Sequence, residues 1–121
     1  MLSILQRIFP SLFILVLIYP SGLLAAPERR LALVIGNGAY SSGPLKNPVN
    51  DATDMAGALQ RAGFTVTLKK NANLQEMVEA IEDFGNNLKR GGVGLFYFAG
   101  HGVQVNNINY LLPITARIKK D

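Results

Sequence analysis

Three short apolar runs, separated by two amphipathic stretches, set the rhythm of the chain. Arg30–Gly36 and Val93–Ala99 are nearly continuous in apolar character, the pattern of a strand covered on both faces. Phe64-Thr65-Val66-Thr67-Leu68 alternates and carries β-branched residues, which predicts another strand between them. Ala52, Met55, Ala56 and Leu59 fall at i, i+3, i+4 and i+7, so a helix opens at Asn50-Asp51 and stops at Gly63. A second helix carries the stripe Leu74, Met77, Val78, Ile81, Phe84 and Leu88, with Glu76, Glu79, Glu82 and Asp83 around the rest. Asn73 with Glu76 three residues on has the form of a capping box, and Gly91-Gly92 ends the helix. Both apolar stripes read as core. Beyond the third strand, Val103-Gln104-Val105 and Ile108-Asn109-Tyr110 flank Asn106-Asn107. Two asparagines tolerate positive φ, which predicts a small hairpin.

Strand–helix–strand–helix–strand is the order of an α/β domain with a mostly parallel sheet. Sites in such sheets form at the carboxyl ends of the strands. Two polar clusters fall there: Gly36-Asn37-Gly38 after the first strand and Gly100-His101-Gly102 after the third.

The first 26 residues have another character. Arg7 precedes the apolar run Leu12–Tyr19, which lies between Pro10 and Pro20, and Ser21, Gly22, Ala25 and Ala26 are small. Charged start, short apolar centre and small-residue end predict a signal peptide over 1–26 and export of residues 27–121 to the periplasm or the extracellular space. The run is too short for a spanning helix, which needs about 18 apolar residues, so membrane contact is expected only through an uncleaved signal segment. Twelve Lys+Arg against eight Asp+Glu give a net charge of +4 without a clustered basic face, which argues against nucleic acid as a partner. Lys69-Lys70 and Lys119-Lys120 read as solvated surface. The sequence has no cysteine, which excludes disulfides, cysteine zinc sites, iron–sulfur clusters and a cysteine nucleophile on this polypeptide.

His101 is the one histidine and has glycine on both sides. An imidazole there serves as general base and acid, or simply caps the strand end by hydrogen bonding. The Gly102 N–H is placed to hold a developing oxyanion. A single histidine without a recognisable carboxylate spacing predicts no catalytic metal, and no cofactor is expected. Gly36-Asn37-Gly38 resembles the start of a dinucleotide fingerprint, but Ser41 stands where its third glycine belongs and the helix begins too late. Asp51 in a first helical turn either complements the helix dipole or forms an acidic wall that selects a cationic side chain.

The blocks Leu31–Asn37, Tyr40, Leu45, Asn50-Asp51-Ala52, Leu59 and Gly63-Phe64, with Leu95–Gly102 and Asn109-Tyr110-Leu111-Leu112-Pro113, together resemble the bacterial caspase-like, metacaspase-related cysteine peptidases across residues 30–116. The resemblance implies a caspase-like α/β sandwich and peptide or protein substrates cleaved by a His–Cys dyad. It implies that His101 is the catalytic histidine, that Gly102 gives an oxyanion N–H, and that Asp51 accepts Arg or Lys before the scissile bond. In that family the cysteine lies on the next strand, roughly 50 residues beyond the histidine. Here only residues 102–121 follow, and Ile114-Thr115-Ala116 stands where an acidic residue is usual. The expectation is therefore the amino-terminal portion of such a domain, incomplete and inactive alone, with a carboxy-terminal remainder as partner. Without the missing strand, Val93–Ala99 becomes an exposed apolar edge. The alternative is a non-catalytic peptide-binding or regulatory module of the same fold, or the inactive product of a truncated gene.

Overall fold

The computed structural model describes residues 27–119, so the segment read as a signal peptide lies outside the described residues. Strand β1 (Arg30–Gly36) is followed by helix α1 (Pro48–Arg61), strand β2 (Thr65–Lys70), helix α2 (Leu74–Leu88) and strand β3 (Val93–Ala99). A hairpin of β4 (Gly102–Val105) and β5 (Ile108–Leu111) completes the described fold.

The sheet has the order β2-β1-β3 with all pairs parallel. β1 is its centre, and Ala32, Leu33, Val34 and Ile35 are buried. Successive side chains of a strand point to opposite faces. Leu33 and Ile35 accordingly pack with Met77, Ala80, Phe84 and Phe98 on the α2 side. Ala32 and Val34 pack with Ala52, Leu59, Val66 and Leu95 on the α1 side. The opposed helices follow from handedness. The chain leaves β1 toward β2 and then returns over β1 to β3, and right-handed crossovers in opposite directions put their helices on opposite faces. The same reversal makes the carboxyl ends of β1 and β3 the switch point of the sheet.

Local signals explain most boundaries. Asn73 Oδ1 accepts the Glu76 N–H at 2.9 Å and Glu76 Oε1 accepts the Asn73 N–H, so the capping box forms. Asn106 and Asn107 have φ of +51° and +63° and join β4 to β5. Gly63, at φ +86°, follows the end of α1. That helix starts at Pro48, two residues before Asn50, because proline is pre-set for a first helical turn and lacks an N–H that would go unbonded. β2 runs on through Lys69 and Lys70, which pair in register with Ile35 and Gly36. Backbone pairing carries that strand past its last apolar residue. Gly36 lets α1 begin close against the sheet: a Cβ there would lie 2.5 Å from both Ala52 Cβ and the Pro48 carbonyl oxygen.

One expectation fails. The stripe of α2 is not all core. Met77 and Ala80 are buried and Phe84 and Leu88 half-buried, but Leu74, Val78 and Ile81 are exposed, Leu74 by 61%. Each helical residue turns about 100°, so Val78 lies well around the helix from Met77. The stripe is wider than the surface that covers it. β3 has β1 on one side and no strand on the other among the described residues. Phe96, paired in register with Leu33, shares the α2 face of the sheet and is 42% exposed. This is the exposed apolar edge expected of Val93–Ala99.

Candidate active site

Asn37, the first residue past β1, is fully buried. Its backbone N–H donates to the Ala99 carbonyl at 2.8 Å and ties the ends of β1 and β3 together. Its Oδ1 accepts the Ala72 N–H at 2.8 Å, and its Nδ2 donates to the carbonyls of Ala72 and Leu112, each at 3.3 Å. A buried amide is tolerable only when its donors and acceptor are occupied, and here both ends are. One side chain thus joins the β1 end, the β2–α2 turn and the segment leaving the hairpin.

Tyr40, 2% exposed, builds on that junction. Its hydroxyl donates to the Leu112 carbonyl at 2.8 Å and accepts the backbone N–H of His101 at 3.0 Å. The Tyr40 and His101 ring centres are 4.6 Å apart, tilted by 57°. Leu112 N–H donates back to the His101 carbonyl at 3.0 Å and closes the base of the hairpin. Gly100 makes room for the arrangement, since a Cβ there would lie 2.6 Å from Tyr40 Oη.

The half-buried imidazole of His101 is held from the other side by the loop after β1. Nε2 lies 2.6 Å from the Gly43 carbonyl oxygen. A carbonyl only accepts, so Nε2 is the donor of this bond. Gly43 is at φ +76°, and a Cβ there would stand 3.3 Å from Nε2. Glycine therefore suits both the turn and the close approach.

Gly102 opens β4 opposite Leu111. The Leu112-to-His101 bond flanks this pair and makes it a non-hydrogen-bonded pair of the antiparallel ladder. The Gly102 N–H is consequently directed away from β5. Asp51 lies in the first turn of α1, exposed, at the same end of the sheet. Asn47 at the helix N-cap gives no side-chain cap, so the carboxylate complements the helix dipole. No hydrogen bond joins Asp51 to His101, whose ring is held by Gly43.

Other polar groups near the site are engaged locally. The Gly38 and Ala39 N–H groups, which a phosphate would need, both donate to Asn71 Oδ1 at 3.0 Å. The Ser42 hydroxyl donates to the Ile118 carbonyl at 3.1 Å rather than facing a base. No group of three or more His, Asp or Glu among the described residues is placed to hold a metal ion. A groove of about 470 Å³ lies elsewhere, between α2 and β2, and includes none of His101, Gly102 or Asp51. Reading by side-chain chemistry singled out His101, Gly102 and Asp51. It passed over Asn71 and the Gly43 carbonyl as parts of the site, met Asn37 only within a polar cluster and a resemblance, and met Tyr40 only within a resemblance. The available signals were an asparagine directly after a buried strand and an aromatic ring in a loop of small polar residues.

Burial pushes the Tyr40 phenol above its ordinary value of 10.0, although its bonds with His101 and Asn37 pull the other way. A proton held more tightly in the folded state contributes stability that is intact below the ordinary pKa and is lost as pH rises through the raised one. Stability measured by denaturant titration is therefore expected to lose an increment above pH about 10 that Tyr40→Phe does not lose. Parallel alkaline curves for the two proteins would contradict this.

A family model for the caspase domain matches residues 29–120. The mouse (Mus musculus) mucosa-associated lymphoid tissue lymphoma translocation protein 1 homolog is 33% identical over 90 residues, and the human (Homo sapiens) mucosa-associated lymphoid tissue lymphoma translocation protein 1 is also 33% identical over 90. Each alignment takes in 74% of this chain and 11% of the relative, so the chain spans about a ninth of the length of these relatives.

Proposed function

The chain belongs to the caspase domain family, whose substrates are peptides, and from that premise we propose that it is the histidine-bearing part of a cysteine endopeptidase site of the bacterial metacaspase-related kind. The observation that carries this is the seating of His101: Nε2 lies 2.6 Å from the Gly43 carbonyl oxygen, and the N–H of the adjoining Gly102 is not taken up by β5. In the proposed reaction a thiol gives its proton to His101 and its sulfur bonds to the substrate carbonyl carbon. The carbonyl oxygen becomes an oxyanion held by the Gly102 N–H. The C–N bond then breaks, the leaving amine takes the proton from His101, and water hydrolyses the thioester. Asp51 supplies the negative charge that favours Arg or Lys before the scissile bond. The thiol comes from outside this chain, which has no cysteine.

The test combines the chain with a segment that carries the nucleophile and measures turnover of matched peptides with Arg, Lys or a neutral residue at the cleaved position. The chain alone is expected to be inactive, and the combination to cleave after the basic residues. Asp51→Asn should raise KM for those peptides about tenfold, with kcat nearly unchanged, because it removes attraction felt equally before and during reaction. Equal KM for basic and neutral peptides would remove Asp51 from this role.

The missing thiol also supports a second reading, a peptide-binding or regulatory module without turnover. It predicts saturable binding of basic peptides to the chain alone, weakened by Asp51→Asn. We further propose that Met1–Ala26 directs export, which cell fractionation of a tagged chain tests directly.

A further inference from the structure

We propose that Tyr40 is the positioning residue of this site: a single hydroxyl, bonded to the His101 N–H and the Leu112 carbonyl, sets where the imidazole points. The inference rests on the reading of His101 as the proton-carrying group. Three observations support it. His101 stands between β3 and β4 at the base of a hairpin whose residues are all exposed, so the hairpin's own packing cannot orient it. Its backbone N–H donates to Tyr40 Oη at 3.0 Å, and the Leu112 carbonyl that closes the hairpin accepts from the same oxygen at 2.8 Å. The phenol ring also lies against the imidazole, with centres 4.6 Å apart.

The geometry works as a clamp. A hydroxyl that accepts from one backbone group and donates to another fixes the two ends of the hairpin relative to each other. Tyr40 is itself held by burial and sits three residues from Gly43 on the same loop. The loop therefore grips His101 twice, at its backbone through Tyr40 and at Nε2 through Gly43. Phenylalanine would keep the ring and lose both bonds. The His101 backbone would then be held only through its carbonyl by the Leu112 N–H, and the Nε2 contact would open more often.

A single histidine gives a single imidazole spin system, so the full chain labelled with ¹⁵N-histidine reports on this residue alone. The Nε2 proton, sheltered by Gly43, is expected to exchange with water at least about tenfold faster in Tyr40→Phe. Leu59→Ala, a core truncation on the α1 side of the sheet, is the control and should leave that exchange near the unsubstituted rate. Exchange in Tyr40→Phe no faster than in the control would overturn the proposal. Should Tyr40→Phe fail to fold, a ring-fluorinated tyrosine at position 40 keeps the shape and both bonds and changes only the acidity of the hydroxyl. The His101 amide and Nε2–H resonances must then shift, and unmoved resonances overturn the proposal. Turnover tests the role of His101 and proton exchange tests Tyr40, so the two readings fail separately.

Discussion

Asn37→Ala is expected to destabilise the protein by about 3 kcal/mol and to lower its melting temperature by about 15 °C. The size follows from what the truncation strands. The Ala72 N–H loses its acceptor, and the carbonyls of Ala72 and Leu112 lose a donor. Each buried polar group left without a partner costs about 1–3 kcal/mol. Both carbonyls keep another donor, the Ile114 N–H for Ala72 and the Tyr40 hydroxyl for Leu112, so the stranded Ala72 N–H and the space left by the amide carry most of the cost. Asn37→Asp is the sharper experiment. It preserves shape and the Oδ1 acceptor, but turns the donating end toward two carbonyls as an acceptor. Burial would raise the pKa of that carboxyl above its unfolded value. The variant should therefore be most stable at low pH, where the protonated acid can donate, and lose stability as pH rises through the raised pKa. Thermal melts of both variants between pH 3 and 8 decide the matter. A change of under 1 kcal/mol in Asn37→Ala would show that the junction rests on other contacts.

His101→Ala should reduce kcat/KM at least about 10³-fold in a form supplied with the thiol, with KM little changed. In the proposed reaction the imidazole makes two proton transfers, from sulfur and to the leaving nitrogen, and the chain has no other histidine to substitute. The fold should tolerate the change, because the backbone N–H of residue 101 still reaches Tyr40 Oη. An alanine variant with unaltered turnover would refute the assignment of His101. One that failed to fold would show the ring to be structural.

Where the determining interactions were local, the residues announced the fold. The bounds of β1 and β3 follow directly from their apolar runs, the capping box from Asn73 and Glu76, and the hairpin turn from Asn106-Asn107. The exposure of Leu74, Val78 and Ile81 could not be read this way. Periodicity says which residues share a face of a helix but not what lies against that face. The site was half legible for a similar reason. His101 and Gly102 stand out as chemistry next to glycine. The atom that Nε2 meets is a backbone carbonyl, that of Gly43, which side-chain identity does not reveal. Asn37 owes its role to Ala72 and Leu112, 35 and 75 residues away, a distance over which no sequence pattern operates.

Those separations bear on the order in which the molecule assembles. The bonds that seat the histidine through Leu112 close loops of 72 and 75 residues, and long loops close late because their entropy is lost before any contact rewards it. A chain emerging from the ribosome can pair β1 with β2 well before Leu112 is available. The imidazole thus acquires its fixed direction only after Leu112 has been made, although the strand that carries it can already lie beside β1.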